Sequence, residues 1–186
     1  MEETYLPSDS QKSLLDLSRQ TLESFVRGSE SPADKIEDPY LLTHQYGAFV
    51  SLHKGEDLRG CIGICFPTRS LYETVQEMTE AAAARDYRFP QISIGELADI
   101  HIEISILSPL RLVQDPLSLE VGRHGLYIVC REKGGVLLPQ VATRHGWDMT
   151  TFLRQTCLKA GLPEEAWRGP ETQVSSFTAL ILEEER

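Results

Sequence analysis

The chain has 186 residues, 41% of them apolar and 25% charged, the composition of a folded domain rather than a disordered one. Eighteen Lys and Arg stand against 28 Asp and Glu, a formal net charge of −10, which argues against nucleic acid and against an anionic membrane surface as partners. No apolar run approaches the roughly 20 residues of a membrane span, and the acidic start Met1-Glu2-Glu3-Thr4 has no apolar segment of a secretory signal, so a cytoplasmic protein is expected.

In chain order, Leu14, Leu15, Ser18, Leu22, Phe25 and Val26 fall near helical spacing, and Gly28 stands where a helix would stop. This first helix is expected to pack on a sheet. The stretch from Gly28 to Pro39 is rich in Ser, Asp, Glu and Pro and reads as a long loop. From Gly47 to Phe66 the apolar residues alternate around His53-Lys54-Gly55-Glu56-Asp57, the pattern of a β-hairpin with a five-residue turn. A symmetric register would set Leu52 opposite Leu58, Val50 opposite Gly60 and Ala48 opposite Ile62. Ser51 would then face Arg59, and Phe49 would face Cys61, which leaves Arg59 and Cys61 together on the face away from the aliphatic one.

Ser70 with Glu73 reads as a capping box opening a helix whose buried stripe is Leu71, Val75, Met78 and Ala82. The run from Ala81 to Ala84 favours close packing, and Asp86-Tyr87-Arg88-Phe89-Pro90 ends the helix. Ile100, Ile102, Ile104 and Ile106 alternate with His101, Glu103 and Ser105, a half-buried strand. A second hairpin joins 126–130 to 136–138 through Arg131-Glu132-Lys133-Gly134-Gly135. Asp148 is the expected N-cap of a helix carrying Phe152, Leu153, Thr156, Cys157 and Ala160 and stopped at Gly161. One last strand is expected through Phe177, Ala179 and Ile181, before the acidic Glu183-Glu184-Glu185. Helices and strands mix without βαβ regularity, so the fold class is α+β with mainly antiparallel sheet.

The cysteines are Cys61, Cys65, Cys130 and Cys157, and only Cys61 and Cys65 are close in sequence. Their spacing fits neither a zinc ribbon, an iron–sulfur cluster nor a redox pair, and a disulfide framework is not expected. Cys65, Cys130 and Cys157 read as structural, and a metal would have only Cys61 and a histidine to begin from. No cofactor is identified.

Leu58-Arg59-Gly60-Cys61-Ile62-Gly63, preceded by Gly47-Ala48-Phe49-Val50-Ser51-Leu52, resembles the hallmark of the AMMECR-type domain family. The resemblance continues through Asp86, Arg88-Phe89-Pro90, Ile102-Glu103-Ile104-Ser105-Ile106-Leu107-Ser108-Pro109 and Gly122-Arg123-His124-Gly125-Leu126. It also takes in Leu137-Leu138-Pro139-Gln140-Val141-Ala142, Gly146-Trp147-Asp148 and Lys159-Ala160-Gly161-Leu162-Pro163. The ordered series runs from about residue 10 to residue 182. The chain departs from the family pattern at Tyr87, where proline commonly follows the aspartate, and at Val174-Ser175-Ser176-Phe177, which replaces a more aromatic strand. The resemblance implies one two-lobed domain over 1–186, with flanking helices and the hexapeptide near a cleft between lobes. The larger lobe would come from the N- and C-terminal parts and the smaller from the middle of the chain. It implies no settled reaction, and it implies association with a Memo-like protein and a radical-SAM protein, the AmmeMemoRadiSam system.

The expected site centres on Cys61. A guanidinium beside a thiol favours the thiolate, and Gly60 and Gly63 remove bulk that would hinder a substrate. Arg59 and Arg88 would hold a small anionic substrate, Cys61 would act as the nucleophile, and His124 or Glu103 would move a proton. The plainer alternatives are a buried structural cysteine, an Arg59 ion pair with Asp57 or Glu103, and glycines at a bulge or strand crossing. Asp86 with Arg88 is explained equally well by a helix-terminating salt bridge. Trp147 and Trp167 read as packing residues. The functional expectation is a thiol-dependent enzyme or enzyme subunit; the alternative is a non-catalytic module binding a Memo-like or radical-SAM partner.

Overall fold

The structure is a computed structural model that describes residues 6–29 and 37–184. Met1-Glu2-Glu3-Thr4, most of the loop expected between Gly28 and Pro39, and Glu185 lie outside the described residues. The chain forms two compact units, one of residues 107–179 and one of residues 6–106 with 180–184. Each carries one four-stranded sheet, and the fold is α+β with antiparallel pairing. No described helix is long and apolar enough to cross a membrane.

In the unit holding the chain's first half, α1 (Ser8–Arg27) ends at Gly28, whose φ of 67° is the left-handed conformation that closes a helix. Leu14, Leu17, Ser18, Thr21 and Leu22 are buried. Contrary to expectation this face packs chiefly on another helix, α3 (Leu71–Ala84), rather than on strands. The small side chains Ser18 and Thr79 meet there in a buried hydroxyl–hydroxyl bond of 2.8 Å. Arg19 ties α1 to the sheet side: it donates to the carbonyls of Leu97 and Ile100 at 3.2 and 2.7 Å and pairs with Glu184. The Ser70–Glu73 capping box opens α3 as the sequence predicts. A short helix, α2 (Pro39–Thr43), is N-capped by Asp38.

The sheet of this unit has the order β2-β1-β3-β8, with β1 (Ala48–Lys54), β2 (Asp57–Ile64), β3 (Ile100–Leu107) and β8 (Ala179–Glu183). The β1–β2 hairpin is tighter than expected. Lys54 opposes Asp57, so the turn has two residues, with Gly55 at φ 62°. A bulge beside Leu52 and His53 then leaves Arg59 without an opposite residue. The register is therefore Leu52 opposite Gly60, Ser51 opposite Cys61, Val50 opposite Ile62 and Ala48 opposite Ile64, two residues from the symmetric expectation. Ser51 does not face Arg59, and Phe49 faces Gly63 instead of Cys61.

Both glycines of the hexapeptide are accounted for by packing. A Cβ on Gly60 would lie 2.2 Å from the Ala82 carbonyl oxygen of α3, so glycine is what lets helix and strand approach. A Cβ on Gly63 would lie 2.2 Å from the Phe49 ring, which occupies that space. The substrate room expected at Gly60 and Gly63 is thus filled by protein. Arg59 is also committed. Its Nε and Nη2 donate to the two carboxylate oxygens of Glu96 at 2.8 and 3.3 Å, and Nη1 and Nη2 donate to the carbonyls of Pro90 and Gln91 at 2.7 and 3.3 Å. The expected ion-pair partners, Asp57 and Glu103, are not the ones used, and each nitrogen of Arg59 already has a partner. Arg59 first, then the hydroxyl and backbone N–H of Ser93, hold the Glu96 carboxyl down at about 2.

The second unit is built on the order β4-β7-β5-β6, with β4 (Arg111–Leu112), β5 (Gly125–Cys130), β6 (Lys133–Leu137) and β7 (Thr172–Phe177). Its hairpin repeats the correction of the first: Cys130 opposes Lys133, and the two-residue turn places Arg131 at φ 56°. Gly134 and Gly135 are strand residues, and a Cβ on Gly135 would meet Ala160 backbone nitrogen at 2.6 Å. Helix α5 (Met149–Lys159) is capped by Asp148 through Thr151 N–H at 2.7 Å and buries Phe152, Leu153, Thr156 and Cys157. Trp167 and Trp147 join this core. A helix that the sequence reading passed over, α4 (Pro139–His145), lies between.

The single last strand is in fact two. Thr178 separates β7 and β8, which belong to different sheets. The change of alternation follows: Phe177 is buried, but in β8 Leu182 is buried while Ile181 is 38% exposed.

Two outcomes test this packing. Gly60→Val should destabilise the protein by at least the roughly 1–3 kcal/mol of an overpacked core, and Ala82→Gly should not rescue it because the clash is with a carbonyl; urea melts of the three variants decide. For Glu96, a folded-state pKa below the ordinary one means that its ion pair stabilises above about pH 4.5 and that this stabilisation is lost as pH falls towards 2. Glu96→Gln should therefore lose less stability than the parent between pH 5 and pH 3, and equal losses would remove the assignment.

Candidate functional site

β2 is an edge strand, so every second peptide of it needs hydrogen-bond partners from outside the sheet. At Cys61 those partners are side chains from the loop after α3. The Cys61 N–H donates to Asp86 Oδ2 at 2.9 Å, and the Cys61 carbonyl accepts from Arg88 Nη2 at 3.4 Å. Asp86 and Arg88 are themselves joined twice, Nε to Oδ1 at 2.9 Å and Nη2 to Oδ2 at 2.6 Å, with the Arg88 N–H donating to Oδ1 at 3.2 Å. The two side chains stand in for the carbonyl and amide of an absent neighbouring strand.

Asp86 is buried, its side chain 2% exposed, whereas the Arg88 side chain is 41% exposed. The Arg88 guanidinium is the main reason that the Asp86 carboxyl sits low, at about 2; the Cys61 and Arg88 backbone N–H groups add to it, and burial opposes it. Asp86 in turn raises the pKa of Arg88 further, with a smaller contribution in the same direction from Cys61. Arg88 Nη1 has no hydrogen-bond partner among the described residues, and the guanidinium lies 5.3 Å from the Phe89 ring.

The cross-strand row through Cys61 runs Cys61, Ser51, Glu103 over β2, β1 and β3. All three side chains share the sheet face away from α3. The Ser51 hydroxyl donates to Cys61 Sγ at 3.1 Å. Cys61 is half-buried, while Ser51 and Glu103 are buried. The strand β3 is thus covered on both faces at Glu103 and Ser105, where the alternation had suggested one exposed face. The next row pairs His53 with His101.

The expected residues therefore separate. Cys61, Glu103 and Arg88 belong to one arrangement, to which the structure adds Ser51 and gives Asp86 a defined part. Arg59, Gly60 and Gly63 serve the packing described above. His124 lies in the other unit, 6% exposed, in the turn before β5. Its Nδ1 accepts the Glu120 backbone N–H at 2.9 Å, which places the proton of the neutral ring on Nε2. Burial first, then Arg123, push its pKa below the usual histidine value. The structure gives His124 a turn to hold. Ser51 carried no signal of its own in the sequence, being one polar residue of an alternating strand. Asp86 is separated from Cys61 by 25 residues, and only the return of α3 along β2 brings them together.

All four cysteines are free thiols. Burial pushes the Cys65 thiol up to about 11 and also raises that of Cys157. Among the described residues no group of three or more His, Cys, Asp or Glu is arranged to hold a metal ion. A groove of about 910 Å³ lies elsewhere in the same unit, lined by Lys12, Asp16, Arg19 and His101 among others, and contains none of the Cys61 arrangement.

Comparison with known proteins places this chain in a family. The AMMECR1 family model matches residues 15–182. A protein of Thermococcus onnurineus is 40% identical over 182 residues, covering 92% of this chain and 89% of its own. One of Methanothermobacter thermautotrophicus is 38% identical over 190 residues, covering 97% of both. The crystal structure of an uncharacterised protein from Pyrococcus horikoshii superposes with a TM-score of 0.91 at 35% identity, over 97% of this chain and 94% of that one. None of these names carries an activity. With a match over nearly its whole length in sequence and in fold, the chain belongs to the AMMECR1 family.

Proposed function

We propose that this protein is a thiol-dependent enzyme or enzyme subunit that acts on a small anionic substrate at Cys61. The observation that carries the reading is the grip on the Cys61 peptide by Asp86 and Arg88, which ties a half-buried cysteine to a guanidinium with one nitrogen still available. Arg88 takes the substrate-binding part first expected of Arg59, since a guanidinium edge suits a carboxylate or phosphate. Asp86 holds Arg88 and the Cys61 backbone in fixed relation. In an acyl transfer the Cys61 thiolate attacks the carbonyl carbon, a C–S bond forms, and the bond to the leaving group breaks as that group takes a proton. Water then cleaves the thioester and restores the thiol. Glu103 is the carboxylate on the face of Cys61 and is assigned the proton transfer in preference to His124.

A second reading, a module that docks a Memo-like or radical-SAM partner, is favoured by Tyr87. It is 96% exposed between the two residues that hold Cys61.

The two readings separate experimentally. Iodoacetamide near neutral pH should alkylate Cys61 ahead of Cys65, Cys130 and Cys157, as mass spectrometry of the digested protein reads out. Arg88→Ala should slow that alkylation by roughly three- to tenfold, because it leaves the Asp86 carboxylate uncompensated beside Cys61, while Arg59→Ala should lower the melting temperature and leave the rate little changed. Labelling of Cys61 no faster than the other three ends the enzyme reading. Under the docking reading, Cys61→Ser keeps partner affinity and Tyr87→Ala loses it, measured by calorimetry with the purified partner.

A further inference from the structure

Ser51 is 6% exposed, and its hydroxyl is directed at sulfur, donating to Cys61 Sγ at 3.1 Å. A neutral thiol is a weak acceptor, whereas a thiolate accepts with the strength of an ionised group. The contact is worth most when Cys61 is deprotonated. We propose that Ser51 is the positioning residue of this site, orienting the Cys61 sulfur and favouring its thiolate; the inference rests on the thiol chemistry proposed above.

The charges around the sulfur show why a donor is needed there. From the loop after α3 come Arg88, positive, and Asp86, negative, bonded to each other so that their fields largely cancel. From β3 comes Glu103, directly opposite Ser51 on the same face, a carboxylate that opposes a second negative charge. Arg59 on β2 is neutralised by Glu96. His53 and His101 stand one row further along. Ser51 lies between the carboxylate and the sulfur in the register, and its O–H is turned to the sulfur. Its hydroxyl is the group on β1 that lowers the energy of the thiolate.

The test follows the rate of iodoacetamide alkylation of Cys61 from about pH 5 to about pH 10 in the full chain, with the ultraviolet absorbance of the thiolate as a second readout. Cys61 sulfur forms its bond to the reagent's methylene carbon as iodide leaves, so the rate reports the thiolate fraction. Ser51→Ala should move the midpoint up by about one pH unit and slow labelling about tenfold below it, the scale of one hydrogen bond to a charged group. Ser51→Thr, which keeps the hydroxyl on a β-branched residue suited to a strand, should restore the parent midpoint. An unchanged midpoint in Ser51→Ala, with Cys61 still the reactive thiol, overturns the role of Ser51 alone. Parent protein that labels no faster than Cys61→Ser overturns both this role and the nucleophile proposed above.

Discussion

A carboxylate cannot be buried without partners that answer its charge, and Asp86 is where this protein meets that requirement. Its oxygens accept from the Arg88 side chain, the Arg88 N–H and the Cys61 N–H. The residues that satisfy the carboxylate are those that define the candidate site. Arg88 is anchored there and reaches the Cys61 carbonyl, so the same contacts close the edge of β2 and bring a guanidinium to Cys61. Structure and chemistry are not separable at this point. A salt bridge that follows a helix and a clamp on the Cys61 peptide are here one set of bonds.

Glycine recurs in both units for one purpose. Gly60 on β2 lies under Ala82 of α3, and Gly135 on β6 lies under Ala160 at the end of α5. At each place a helix backbone comes within the space that a side chain would need, and a strand residue without Cβ permits it. This close approach brings the end of α3 and the loop after it to the level of Cys61. The hexapeptide is thus partly a packing motif. Gly60 admits the helix, Gly63 lies under Phe49, and Arg59 stitches the bulge to the loop carrying Pro90, Gln91 and Glu96.

Much of the fold was legible because the signals are local. Gly28, Ser70 with Glu73, and Asp148 mark helix ends through hydrogen bonds within a few residues, and each appears where expected. The α4 helix carries local markers of the same kind, with Pro139 at its first turn and Gly146 just past its end. Register was harder. A left-handed residue at Gly55 or Arg131 shortens a hairpin turn from five residues to two, and a bulge at Arg59 then shifts everything after it. Alternation of apolar residues is the same for either register, so it does not distinguish them. The division of the last strand at Thr178 was hidden because apolar residues stand on both sides of it, and only burial shows that the alternation changes phase there.

The sequence by itself determined the fold class, the helix caps, the family and the presence of a thiol in a glycine-rich strand, because these depend on residue type and near neighbours. Only the tertiary structure decided which guanidinium meets Cys61. Arg59, two residues from Cys61, is turned to Glu96, while Arg88, 27 residues away, reaches the Cys61 carbonyl. The physical reason is that a bulge redirects the nearer side chain and a packed helix returns the farther one. Neither event is encoded in the spacing of the residues it brings together.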